Sequence, residues 1–117
     1  MWADGASTLI GTHTTGDMIR VRTSSVTIRN LTLDANASRE AAAAGSGGGI
    51  VYRPLDDGDA SSRVNAAWVD NNFVRNQPGH GILVEGYSVN TLVENNTVTD
   101  CKGHAYGFDR GDISDIN

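Results

Sequence analysis

The sequence predicts an all-β solenoid, a parallel β-helix of about four rungs of roughly 24 residues with two loop insertions. Three observations carry this expectation. Trp68-Val69-Asp70-Asn71-Asn72-Phe73-Val74 and Leu92-Val93-Glu94-Asn95-Asn96-Thr97-Val98 share one side-chain code at an offset of 24 in the numbering. Gly79-His80 and Gly103-His104 fall at the same offset. Apolar residues alternate with period two, as half-buried strands require, and they sort into three columns. A fixed period in the low twenties marks a repeat architecture, in which equal positions stack over one another.

Strands are expected at 18–22, 26–33, 49–53, 66–75, 81–85, 91–99 and 104–108. Ile19 and Val21, Ile50 and Tyr52, Ile82 and Val84, and Tyr106 and Phe108 form one inward pair per rung. Ile28, Val69 and Val93 form a second inward column, and Leu33, Val74 and Val98 a third. Three columns per rung mean three strands per turn. A leucine-rich solenoid has a similar period, but the chain lacks the Leu-x-x-Leu-x-Leu core of that architecture. Asn30, Asn71 and Asn95 fall at the corner after the second strand, where asparagine tolerates left-handed backbone and can stack in a ladder.

Asn30 and Asn71 are offset by 41, which exceeds the period of 24 by 17. The excess is assigned to loops at 35–48 and 54–65. The first contains Ser38-Arg39-Glu40-Ala41-Ala42-Ala43-Ala44-Gly45, a helix-like piece with a glycine stop. The second contains the turn-rich Asp56-Asp57-Gly58-Asp59. Residues 1–117 form a single β-helix segment, expected to belong to a longer β-helix or to be completed by partner chains, because bare solenoid ends expose strand edges and core.

Composition narrows the function. The formal net charge is −5 and no Lys/Arg run occurs, so a nucleic-acid backbone is not an expected partner. No apolar stretch is long enough to span a bilayer as a helix, so no membrane partner is expected. Cys101 is the only cysteine, which excludes an internal disulfide and a zinc cysteine cluster. No metal site and no cofactor are implied.

The candidate chemistry lies on outward columns. Glu85 and Asp109 are equivalent positions, and Arg53 is the matching position one rung earlier. His80 and His104 are also equivalent, each five residues before its carboxylate. Glu85 and Asp109 are the candidate catalytic pair, since neighbouring carboxylates can divide into an acid and a base. His80, His104 and Arg53 are the candidate binding residues for a sugar chain. The alternative is a solvated face with register-setting charges. Arg29, Asp70 and Glu94 form a further column, read as a calcium site with too few ligands or as a ladder of alternating charge.

The segments Val26-Thr27-Ile28-Arg29-Asn30-Leu31-Thr32-Leu33-Asp34, Val69-Asp70-Asn71-Asn72-Phe73-Val74 and Val93-Glu94-Asn95-Asn96-Thr97-Val98 resemble the right-handed parallel β-helix superfamily. That superfamily includes pectate lyases, glycoside hydrolases and bacteriophage tailspikes. Asp4-Gly5-Ala6-Ser7-Thr8-Leu9-Ile10-Gly11 resembles the early coil of its tailspike-type members. Tyr106-Gly107-Phe108-Asp109 resembles the start of the alginate-epimerase active-site motif, although Arg110-Gly111-Asp112 follows it here. The resemblance implies a right-handed helix that binds, and in some members cleaves, a bacterial surface polysaccharide. It also implies a homotrimer or other virion proteins as partners, and a virion or extracellular location. The alternatives are a non-catalytic virion spike, knob or head-decoration protein, and a secreted polysaccharide lyase or epimerase.

Overall fold

The computed structural model describes residues 7–11, 16–35, 47–53, 64, 67–85 and 90–109, with Phe108 and Asp109 described by backbone only. Eleven short strands run through the described residues, which contain no helix: β1 (Ser7–Ile10), β2 (Ile19–Val21), β3 (Thr27–Arg29), β4 (Leu31–Asp34), β5 (Ile50–Tyr52), β6 (Trp68–Asp70), β7 (Phe73–Arg75), β8 (Ile82–Glu85), β9 (Leu92–Glu94), β10 (Thr97–Thr99) and β11 (Tyr106–Asp109). They build three sheets in which every pairing is parallel. Sheet I has the order β1-β4-β7-β10, sheet II the order β2-β5-β8-β11 and sheet III the order β3-β6-β9.

The register follows the repeat. Phe73 pairs with Thr97, Trp68 with Leu92, and Ile82 with Tyr106, all at an offset of 24. Across the insertions the offset grows to 41 for Thr32 with Phe73 and to 32 for Ile50 with Ile82. The chain lengthens in two places. The path from Asp34 to Ile50 is longer than its counterpart from Arg75 to Ile82, and the path from Tyr52 to Trp68 is longer than its counterpart from Val84 to Leu92. Together these two detours account for the whole excess in the asparagine spacing. The helix-like piece at 38–45 and nearly all of both loops lie outside the described residues.

The three inward columns stack as expected. Ile50, Tyr52, Ile82 and Val84 on sheet II are fully buried, as are Ile28, Val69 and Val93 on sheet III and Leu33 and Val74 on sheet I. Burying one such aliphatic side chain is worth about 1.5–3 kcal/mol. Two differences from the sequence reading emerge. The spans 26–33, 66–75 and 91–99 are each divided in two by Asn30, Asn71 and Asn95, whose φ angles of 59°, 54° and 54° turn the chain from sheet III to sheet I. Strand β1 is an addition, paired with β4 from Ser7–Leu31 to Ile10–Asp34.

A second asparagine ladder lies beneath the corner. Asn72 is 3% exposed. Its Oδ1 accepts from the Leu31 amide at 3.1 Å, and its Nδ2 donates to the Ile28 carbonyl and to Asn96 Oδ1, each at 3.0 Å. Asn96 repeats the motif, donating to the Val69 carbonyl at 2.9 Å and accepting from the Asn72 amide at 2.9 Å. Backbone groups that turn away from sheet pairing at the corner are thus satisfied by a side chain from the next unit.

Tyr52 is fully buried, and among the described residues its hydroxyl reaches only the Val26 carbonyl at 3.3 Å. Burial raises its pKa above the usual tyrosine value, because the phenolate would lose its hydration. The neutral hydroxyl therefore stabilises the fold fully below pH ~10, the unfolded value, and the contribution declines as pH rises beyond it. Tyr106, also raised by burial, acts in the same direction. Tyr52→Phe is expected to remove one proton from the alkaline slope, about 1.4 kcal/mol per pH unit above pH ~10. Urea unfolding of both proteins between pH 9 and 11 (roughly one unit either side of the ordinary tyrosine value) measures this. An identical slope in the two proteins would be evidence against it.

Candidate functional site

Strand alternation sends every second residue of sheet II outward. Arg20, Val51, Leu83 and Gly107 share one outward column. The next outward column holds Arg53 and Glu85, and Asp109 pairs in register with Glu85. On the entry side of the sheet, the backbone bonds Met18–Gly48, Gly49–His80 and Gly81–His104 bring Asp17, Gly48, His80 and His104 into line. Between these columns lies an open groove of about 260 Å³, lined by Asp17, Gly48, Val51, Arg53, His80 and Glu85 among others. Three of the five residues singled out from sequence, Arg53, His80 and Glu85, therefore line one groove.

Glu85 is not a lone acid. Its carboxylate accepts from Arg53 Nε, one strand away, in an ion pair whose side chains are 18% and 35% exposed. His80 and His104 stack with ring centroids 5.3 Å apart and planes inclined by 17°. The His104 amide donates to His80 Nδ1 at 3.1 Å. That bond makes Nδ1 the acceptor and leaves Nε2 to carry the proton in the neutral ring. A Cβ at Gly107 would stand 3.3 Å from His80 Nδ1, so glycine there gives the imidazole room. The Asp109 side chain lies outside the described residues.

Sequence reading missed Asp17. Its carboxylate holds Arg20 at 2.6 Å and accepts from the Gly48 amide at 2.8 Å, anchoring one end of the groove. Asp17 and Gly48 are offset by 31, so a search at 24 passes over the pair. The alginate-epimerase-like segment takes a structural position: Tyr106 stands in the inward column, and its hydroxyl donates to the Asn96 carbonyl at 3.0 Å.

In the column Arg29, Asp70 and Glu94 on sheet III, the first two form an ion pair and Glu94 accepts from Trp68. Arg29 reaches Asp70 at 3.1 Å and lies over the Trp68 ring at 5.3 Å, while Trp68 Nε1 donates to Glu94 at 3.1 Å. Among the described residues no group of three His, Cys, Asp or Glu is placed to hold a metal ion. Burial raises the Cys101 thiol and the Asp100 charge adds to that, while the Gln77 backbone acts against both. Its thiolate is disfavoured, which argues against a nucleophilic role.

Comparison with protein-family models, curated proteins and solved structures finds no match.

Proposed function

We propose that the three parallel sheets close into a right-handed parallel β-helix of about four rungs, a segment of the tailspike type, and that it binds a bacterial surface polysaccharide along the outer face of sheet II. The observation that carries this reading is the groove uniting Arg53, His80 and Glu85 with Asp17. Its floor of Val51 and Leu83 suits the apolar faces of a sugar ring, and its rim offers donors and acceptors to hydroxyl and carboxylate substituents. The insertions enter and leave beside it, and loops on a rigid scaffold are where binding residues concentrate.

The pairing of Glu85 with Arg53 favours binding over cleavage as the role of this face. Cleavage would require Glu85 and Asp109 to act as a pair. The polysaccharide reading is tested by calorimetric titration of purified capsular and O-antigen polysaccharides. Glu85→Gln and Arg53→Ala are expected to weaken binding about tenfold each, near 1.4 kcal/mol. Both variants should fold, since a partly exposed ion pair adds only ~0–1 kcal/mol of stability. Wild-type affinity in both variants, or no binding of any polysaccharide, sinks the proposal.

A structural virion role is the second reading. It is favoured by the commitment of Arg20, Arg29, Arg53 and Arg75 each to a carboxylate within the fold. Light scattering separates the two: a stable trimer without glycan affinity supports the scaffold.

A further inference from the structure

A second groove, of about 410 Å³, runs along the corner between sheets III and I. Its polar wall is the outer asparagine ladder, Asn30, Asn71 and Asn95, and beside it on sheet I stand Thr32, Phe73 and Thr97 in register. Among the described residues no ionisable side chain lines it. The contrast with the sheet II groove, which presents Asp17, Arg53, His80 and Glu85, is complete.

The hydrogen-bonding capacity of this wall is only partly used. Asn71 Nδ2 donates to Asn30 Oδ1 at 2.8 Å, and Asn95 Nδ2 donates to Asp70 at 3.3 Å. Asn30 Nδ2, Asn71 Oδ1, Asn95 Oδ1 and the hydroxyls of Thr32 and Thr97 have no partner among the described residues. These are neutral donors and acceptors in alternation, with one aromatic ring among them. They repeat at the inter-strand spacing of about 4.8 Å, comparable to the length of one pyranose in an extended chain. The charges nearest to it, Arg75 over the Phe73 ring at 5.4 Å and Asp70 beside Asn95, are each engaged in an ion pair within the fold, with Asp34 and Arg29. A chain of uncharged hydroxyl-bearing rings would find an amide or hydroxyl at each step.

We infer that this corner groove is a binding site for a neutral, extended glycan, distinct from the charged groove on sheet II. The inference does not rest on the sheet II reading. Each site has its own reporter residues, so failure of one leaves the other standing.

The test is a titration followed by nitrogen-15 NMR, using the side-chain amide signals of Asn30, Asn71 and Asn95. The probes are the β-1,4-linked hexamers of glucose, mannose and N-acetylglucosamine at millimolar concentration, with hexagalacturonate as the charged control. At least one neutral hexamer should shift these amide signals, and the charged hexamer should leave them in place. Thr97→Val, at an exposed position, removes one hydroxyl. Asn95→Gly keeps the left-handed corner and removes one amide. Each is expected to weaken neutral-glycan binding about threefold to tenfold, as loss of one hydrogen bond predicts, with backbone signals elsewhere unmoved. No shift with any neutral hexamer, shifts confined to His80 and its neighbours, or equal response to the charged hexamer would overturn the inference.

Discussion

Asn72→Leu is expected to destabilise the fold by about 3 kcal/mol, or roughly 10 °C in melting temperature. Leucine fills a similar volume, so little of this loss comes from a cavity. It arises because the Leu31 amide and the Ile28 carbonyl, both at buried residues, lose the side chain that satisfies them. Each such orphaned group costs about 1–3 kcal/mol. Asn96 loses a partner as well. The neighbouring Asn71 is the control. It is exposed, has φ 54°, and among the described residues its side-chain amide bonds only to Asn30. Asn71→Gly is expected to stay within about 0.5 kcal/mol of the wild type, because glycine accepts the left-handed corner freely. Urea unfolding of the two variants side by side decides the matter. If Asn72→Leu and Asn71→Gly prove equally mild, the inner ladder does not hold the corner.

Gly81→Ala is expected to cost about 3 kcal/mol, the upper part of the range for overpacking. A Cβ at Gly81 would overlap Val98 Cγ1, stand 2.8 Å from the Ala105 carbonyl oxygen and crowd Cys101 Sγ at 3.3 Å. Val98 can turn aside. The Ala105 carbonyl cannot, because it accepts from the Ile82 amide at 3.0 Å in the sheet II pairing. Adding Val98→Ala to the variant should therefore recover only part of the loss. Denaturant midpoints of the single and double variants measure this. Full recovery in the double variant would place the whole penalty on the valine and refute the backbone argument.

Much of the fold is legible in the residues alone. The three core columns follow from period-two alternation laid on an offset of 24: most of their described side chains are buried, and Ile19, Val98 and Tyr106 are partly buried against the core. The corners follow from Asn30, Asn71 and Asn95. Strand β1 was missed because the first unit is irregular: the path from Ile10 to Ile19 is longer than the matching path from Arg75 to Ile82 in the regular unit. The inner ladder escaped notice because Asn71 and Asn72, like Asn95 and Asn96, are chemically identical neighbours; the signal was Leu31, the apolar counterpart of Asn72 in the preceding unit, which marks that position as inward. In the site, the column holding Arg53 and Glu85 was visible from spacing, but the ion pair within it was not foreseen. Arginine followed by glutamate at stacked positions is itself the signature of a cross-strand pair.

The two insertions flank β5 on either side, and the strands beyond them return to the common register. The chain leaving the first insertion rejoins the sheet at Gly47 and Gly48, and the second departs just after Arg53, all of which line the sheet II groove. Length and chemistry at these two junctions are thus uncoupled from the columns that hold the protein together. What the groove selects can be exchanged, by evolution or by grafting, as one swaps the jaws of a tool while keeping its frame.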